Sequence, residues 1–507
     1  MSIQAFDWIA KHAVAQPDAP AMHDLLSDRR YTYGEMNDRI DRAGLFLYER
    51  CGVSKGDRIA LMMHNCSDMV ELIFAAWRIG AICVPMNWRL AVPEIAYIIG
   101  DCQPKALFHT TEFAESAAAA VEQYGEHVML VEAADGERCH YEGGLRASYG
   151  NLPEIEYDFN DPWVILYTSG TTGRPKGAQI TYGMQFFNAI NCMVSTGITN
   201  KSHGLTVLPL FHVGGLCVYL SPILHAGGNN TIMDQFEPET MLRLMEDRGP
   251  NQLTHALGVP TNFLFISQLP RFKDAEIDHL QSVGVGGAAP PRSLLETYAE
   301  KGLLMEHAWG MTETTSVGTI IPKHMALQKI GSCGLPALHV ECKIVDDDGN
   351  DLPPNTTGEL LIRGPTVTNG YWQLPEATAQ AFLPGGWFKT GDAAQVDEDG
   401  YYYIVDRWKD MYISGGENVY PAEVEDTLFR LNGVAEVAVI GVPDERWGEV
   451  GRAFVVQEPD AELTEDGIIA YCREQLANYK APKSVRFLDE LPHNATGKVT
   501  KHLLPRD

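Results

Sequence analysis

The chain has 507 residues, too many for one hydrophobic core, so two or more domains are expected. Apolar residues make up 45% and charged residues 21%, a globular composition that excludes a disordered chain. The net charge of −28, from 39 Lys and Arg against 67 Asp and Glu, repels phosphate backbones and anionic membranes and excludes nucleic acid as a partner.

The first residues, MSIQAFDWIAKHAV, show no signal-peptide apolar region, and no run reaches the roughly 18 apolar residues of a membrane span. Residues 58–64 (RIALMMH) predict a buried strand, and 67–79 predict a helix with Ser67 as N-cap. An apolar run at 81–86, a helix near 92–100 and a strand at 106–109 follow. A second series starts with a strand at 163–167, then a helix near 182–195 and a strand at 205–210. Such alternation predicts mostly parallel sheets covered by helices. Near 330, Gly and Pro become frequent, and short strands at 341–346 and 358–363 flank a turn at Asp348–Gly349, an antiparallel β texture. From about 409 the pattern is helix 421–431, strands 435–441 and 452–457, helix 464–477 and strand 484–488, a separate α+β domain. Ten cysteines are scattered from Cys51 to Cys472 with no C-x-x-C pair and no zinc-finger spacing. They predict free, partly buried thiols in a reducing compartment, hence the cytoplasm.

The most informative segment is 167–178, YTSGTTGRPKGA, directly after a strand. Its glycines let backbone N–H groups converge on an anion. Thr168, Ser169, Thr171 and Thr172 add hydroxyls around Gly170, and Lys176 adds charge, as the β- and γ-phosphates of ATP require. It is not a Walker A loop, because Lys176 follows Arg174–Pro175 and precedes Gly177.

On this string the chain resembles the adenylate-forming superfamily of acyl-CoA synthetases, peptide-synthetase adenylation domains and luciferases, and further motifs recur in the family's order along essentially the whole chain. The resemblance implies an α/β protein. A large N-terminal domain of two α/β subdomains plus a β-barrel, residues 1–408, would precede a small mobile C-terminal α+β lid, residues 409–507.

By the match of 306–315 (EHAWGMTETT), Trp309 stacks on adenine, Thr312 contacts the α-phosphate and Glu313 helps hold Mg²⁺, a cation that takes hard oxygen ligands. Most relatives carry Tyr where Trp309 stands; the change keeps a stacking surface. Gly287, Ala288, Ala289, His307 and Gly310 fall around the nucleotide by the same resemblance. In GWFKTGD, Asp392 matches the aspartate that accepts from both ribose hydroxyls. In YYYIVDRWKD, Arg407 matches a ribose- or phosphate-contacting arginine and Lys409 the hinge between domains. Gly415 and Gly416 match the loop that lines the thiol tunnel. In PHNATGK, Lys498 matches the catalytic lysine, whose ammonium offsets charge on the α-phosphate and the departing pyrophosphate.

Three positions favour coenzyme A as acceptor by resemblance to aryl- and acyl-CoA ligases: Arg89, Trp447 and Lys483, suited to phosphates and adenine. His212 in LPLFHVGG matches the floor of the acid pocket, where amino-acid-activating relatives place an aspartate nearby. No Arg or Lys stands in the expected pocket wall at 258–264, 284–289 and 307–316, which disfavours a dicarboxylate. A hydroxycinnamate or other aryl acid is expected, with a medium- or long-chain fatty acid as the alternative. An enzyme loading a carrier protein and a non-catalytic nucleotide-binding regulator are the rival readings. The resemblance thus implies ATP, Mg²⁺ and coenzyme A and a small carboxylic acid as substrate; no transmembrane segment is expected from the apolar runs, and a homodimer is the expected assembly.

Overall fold

The computed structural model describes residues 3–124, 128–134, 136, 139–168, 175–407, 410–414, 417–444, 447–459, 461–476, 478–493 and 499–506. Its contacts group into two units, Met1–Glu341 with Ile362–Phe388 and Cys342–Leu361 with Lys389–Asp507.

The first unit holds two sheets. In the six-stranded sheet the order is Met129–Glu132, Ala106–His109, Arg58–Met62, Ile82–Pro85, Pro162–Thr168 and Lys176–Thr181. The described pairings are parallel except the last, which is antiparallel. Ile82–Pro85 is buried at every position, as expected of a strand covered on both faces. The nine-stranded sheet runs Leu335–Pro336, Thr319–Ile320, Met305–Trp309, Ser282–Val285, His255–Gly258, His203–Thr206, Asn229–Ile232, Pro20–Asp24 and Arg29–Thr32. It is parallel from Met305–Trp309 to Pro20–Asp24 and antiparallel beyond either end. The predicted alternation and mostly parallel pairing are both present.

Helix Ser67–Arg78 is buried at 11 of its 12 positions, so it is a core helix rather than an amphipathic surface one. Its two acidic residues are therefore paired. Asp68 meets Arg29 at 2.7 Å, and Glu71 meets Arg39 at 2.6 Å. Burial of such charges is tolerable only with partners. Ser67 is not the N-cap: Cys66 is, without a side-chain bond. Ser67 instead donates its N–H and hydroxyl to Asp24 Oδ2, at 2.9 and 2.8 Å. A carboxylate distant in sequence serves the helix start that Ser67 was expected to serve.

Helix Tyr182–Thr196 follows the strand Lys176–Thr181 without a gap. Thr181 caps it, its Oγ1 accepting from the Met184 N–H at 3.2 Å. Replacing Thr181 with Ala should cost about 1 kcal/mol in urea denaturation, the usual worth of a threonine cap. The strand predicted at 205–210 stops at Thr206. Beyond it the side chain of Asn65 takes over the backbone, donating to Leu208 O at 3.0 Å and accepting from the Leu210 N–H at 2.9 Å. That bends the chain out of the sheet toward His212.

In the β region after 330, Glu341–Val345 and Gly358–Arg363 are neighbours, and Trp387–Val396 pairs antiparallel with Tyr402–Arg407. The sheet stays open as a half-barrel. The last five-stranded sheet, in the second unit, has the order Glu417–Val419, Tyr412–Ser414, Gly448–Gln457 and Val434–Asp444, with Ser484–Phe487 parallel to Gly448–Gln457. Helices Pro421–Phe429 and Glu465–Gln475 cover it through Val424, Leu428, Ile468 and Cys472. This is the α+β pattern read from the sequence. Among the described residues no helix is long and apolar enough to cross a membrane. None of the ten cysteines is in a disulfide, and nine of them are buried.

Candidate active site

The last two strands of the six-stranded sheet, Pro162–Thr168 and Lys176–Thr181, pair antiparallel on either side of the segment expected to hold phosphate. Thr168 stands opposite Lys176, and the Thr168 hydroxyl donates to Lys176 O at 3.4 Å. Ser169, Gly170, Thr171 and Thr172 lie outside the described residues, but the two ends of their loop are fixed.

Lys176 places its Nζ 5.1 Å from the centre of the Tyr371 ring. The Tyr371 hydroxyl donates to Glu313 Oε1 at 2.8 Å. Burial, and then Glu313, push the Tyr371 phenol up, so it stays a donor. Glu313 is buried in the short 3₁₀ turn Thr312–Thr314. The backbone N–H of Thr368 donates to Glu313 O at 2.7 Å, and the Trp372 N–H to Gly177 O at 2.7 Å. Segment 366–372 thus ties the strand Lys176–Thr181 to the Glu313 turn. Tyr371 was not singled out from sequence. It lies 58 residues from Glu313, and no short motif signals that pairing.

The strand Met305–Trp309 carries His307 and the half-buried Trp309 to the carboxyl end of the parallel sheet, where α/β folds bind ligands. The next strand, Ser282–Val285, pairs Val285 with His307 and leads to the exposed residues Gly287, Ala288 and Ala289. Gly310 is obligatory: a Cβ there would lie 1.3 Å from Ser316 O. His307 Nδ1 donates to Ser332 O at 2.9 Å, because a carbonyl only accepts.

Arg89 and His212 also converge. The Arg89 guanidinium stacks on Trp88 at 4.1 Å and stands 6.0 Å from the Phe211 ring, which packs on His212 at 4.7 Å. His212 Nε2 is buried without a hydrogen-bond partner among the described residues. Burial, reinforced by Arg89, lowers His212 to about 4, so the ring is neutral at pH 7.

Burial also holds His203, His225, His255 and His307 at about 4. Between about pH 4 and 6.5 the unfolded chain therefore binds more protons at these five sites than the folded one. Stability falls as pH drops through that window. Five carboxyls that burial raises oppose this, Glu71 and Glu306 to about 7 and Asp68, Asp101 and Glu359 in the same direction. Asp28, Glu142, Glu237, Glu341 and Asp346, held below the usual carboxylate range, act with the histidines. Urea midpoints should decrease from pH 6.5 to 4.5; a flat profile would mean the histidines are not buried neutral.

In the second unit Asp392 is buried within the strand Trp387–Val396, not in a turn, and its register partner is Arg407. Trp447 is 40% exposed beside strand Gly448–Gln457, its N–H donating to Asp444 Oδ1 at 2.8 Å. Lys483 is exposed, its N–H donating to Gly451 O at 2.8 Å. Lys409, Gly415, Gly416 and Lys498 lie outside the described residues.

Residues 9–372 match the AMP-binding enzyme family and residues 423–498 its C-terminal domain. The chain belongs to the AMP-binding enzyme family. Its fold is that of the adenylate-forming enzymes, a mixed α/β protein with a large N-terminal and a smaller C-terminal domain. This AMP-binding enzyme is 38% identical to a feruloyl-CoA synthase of an Amycolatopsis species, covering 97% of each chain. It is 36% identical to an indoleacetate–CoA ligase of Aromatoleum aromaticum, over 98% of this chain and 96% of the relative. Among solved structures it resembles O-succinylbenzoate coenzyme A synthetase from Bacillus subtilis in complex with ATP and magnesium ion. There the TM-score is 0.87 and the identity 29%, over 99% of this chain and all of the other.

Proposed function

We propose that this AMP-forming acid–CoA ligase acts on a hydroxycinnamate or another aryl acid. The class rests on the family and on full-length CoA-ligase relatives; ATP, Mg²⁺ and coenzyme A go with it. The observation that carries the acid is the expected wall of its pocket. Strands Ser282–Val285 and Met305–Trp309 bring Gly284, Gly286 and Ala308 to one face, with no Lys or Arg in 258–264, 284–289 or 307–316. Such a wall suits a flat, neutral tail. The neutral His212 ring, with an unpartnered Nε2, can meet the acid's carboxylate.

In the first half-reaction a carboxylate oxygen attacks the α-phosphorus of ATP and pyrophosphate leaves. Thr168, Lys176 and the loop between them hold the leaving phosphates, and Lys498 stabilises the developing charge. Glu313 offers the hard oxygen that Mg²⁺ takes, and the ion when bound neutralises phosphate charge. Trp309, His307, Gly310, Thr312 and the 287–289 segment seat the adenylate, while Asp392 and Arg407 hold the ribose. In the second half-reaction the coenzyme A sulfur attacks the acyl carbon and AMP leaves. By resemblance, the 409–507 lid swings about Lys409, withdrawing Lys498 and presenting Gly415 and Gly416 to the thiol arm. Arg89, Trp447 and Lys483 hold the coenzyme A nucleotide.

The test is kcat/KM for AMP release with ferulate, 4-hydroxycinnamate, octanoate and malonate at saturating ATP and coenzyme A. An aryl acid should lead; octanoate ahead by tenfold would move the enzyme to fatty acids. The reading also puts the enzyme in the cytoplasm as a homodimer. Sedimentation as one chain would remove the dimer.

A further inference from the structure

Three polar side chains meet below the glycine wall. Ser282 begins one strand, Glu306 stands on the next, and Tyr219 comes from the π-helical turn Leu216–Leu220 that follows His212–Gly215. The Tyr219 hydroxyl lies 2.7 Å from Ser282 Oγ, and Ser282 donates to Glu306 Oε2. All three residues are buried, Ser282 completely. Such groups are costly to bury unless they are hydrogen-bonded, and here they bond to one another.

Their place in the sheet gives the function. Ser282, Gly284 and Gly286 alternate onto one face of their strand, and Glu306 with Ala308 onto the same face of the neighbour. The trio therefore lies at the inner end of the wall whose outer end carries Gly286 and Ala308. From Ser282 to Gly286 is about 13 Å of strand, comparable to the length of a hydroxycinnamate. Leu257 and Tyr219 close that wall: a Cβ on Gly284 would stand 2.9 Å from Leu257 Cδ1 and 3.2 Å from the Tyr219 hydroxyl. Tyr219 also lines a small cavity with Gly214, Gly215, Leu208 and Leu257.

We propose that Tyr219, Ser282 and Glu306 form the floor of the acid pocket and select acids bearing a hydroxyl at the end remote from the carboxylate. This rests on the aryl-acid reading and names the feature of the aryl acid that is read.

The hydrogen count suits that ligand. When Glu306 is ionised, Ser282 donates to it and Tyr219 donates to Ser282, leaving Tyr219 Oη as an acceptor. When Glu306 carries a proton, both bonds can reverse and Tyr219 becomes a donor. A substrate hydroxyl both gives and takes a hydrogen bond, so either state serves it. Burial brings Glu306 to about 7, so both states are populated near neutral pH. A methyl or hydrogen at the same place can neither give nor take that bond, the difference on which a site built for a hydroxyl discriminates.

The experiment compares kcat/KM for 4-hydroxycinnamate and for cinnamate in the full-length wild type, Tyr219→Phe and Glu306→Gln, with Tm for each. The wild type should favour 4-hydroxycinnamate at least about tenfold. In Tyr219→Phe that preference should collapse to about twofold or less, chiefly through loss on 4-hydroxycinnamate. Glu306→Gln, which keeps the volume, should reduce the preference in the same direction. Equal losses on both acids, tracking a fall in Tm, would make the trio a structural staple and overturn the proposal. No wild-type preference between the two acids would overturn it as well, with the aryl-acid reading intact. Turnover of octanoate with neither aryl acid accepted would overturn the aryl-acid reading itself, and the proposal with it.

Discussion

Lys498→Ala should lower the rate of adenylate formation roughly 100- to 1,000-fold while largely sparing thioester formation from supplied acyl-AMP. The asymmetry follows from where charge develops. In adenylation, negative charge grows on the nonbridging α-phosphate oxygens and on pyrophosphate, and an ammonium near both lowers the barrier. In thioester formation the pyrophosphate has gone, and an ammonium at that place has little left to stabilise. ATP–pyrophosphate exchange reads the first half, and release of AMP from synthetic acyl-AMP with coenzyme A reads the second. Equal losses in both would remove the assigned role of Lys498. The local sequence PHNATGK carries this expectation, since the lysine lies outside the described residues.

Glu313→Gln should lower kcat/KM for adenylation roughly 100-fold, about 2.7 kcal/mol, and raise the Mg²⁺ concentration needed for half-maximal rate. Glutamine keeps the volume and an oxygen to accept the Tyr371 bond, so the lost quantity is the negative charge. Tyr371→Phe tests the complement. It leaves the charge and the ring under Lys176 and removes only the hydroxyl whose 2.8 Å bond orients Glu313. A loss of about tenfold, near 1.4 kcal/mol, with a smaller rise in Mg²⁺ requirement is expected. An Mg²⁺ dependence unchanged in Glu313→Gln would separate this carboxylate from the metal. Unchanged kinetics in Tyr371→Phe would reduce the tyrosine to packing.

The contrast between these residues shows what one sequence can and cannot disclose. The phosphate loop, Trp309, Thr312 and Glu313 sit in short strings that resemble family motifs, and the roles expected of them come from that resemblance. The strands and helices around them were legible from continuous apolar runs and changes of period, mostly to within two or three residues. What stayed hidden depends on partners far along the chain. The strand expected at 205–210 ends early because Asn65, some 140 residues away, captures Leu208 and Leu210. Ser67 looked like a helix cap by type and place, but Asp24 serves that helix start. Tyr371 reads as an ordinary aromatic after a glycine until the fold sets it against Glu313. The Tyr219–Ser282–Glu306 contact joins three elements with no common motif. Local propensity names elements and local motifs name chemistry; long-range hydrogen bonds set boundaries and orient the groups that act.

The central claim is that one site makes an acyl-adenylate and hands its acyl group to coenzyme A. The most direct measurement is mass spectrometry of the wild-type enzyme incubated with ferulate, MgATP and coenzyme A, quantifying feruloyl-CoA, AMP and pyrophosphate together. The account predicts the three products in equal amounts, with thioester absent when coenzyme A is omitted. ADP in place of AMP, or AMP accumulating with no thioester while coenzyme A is present, would contradict it.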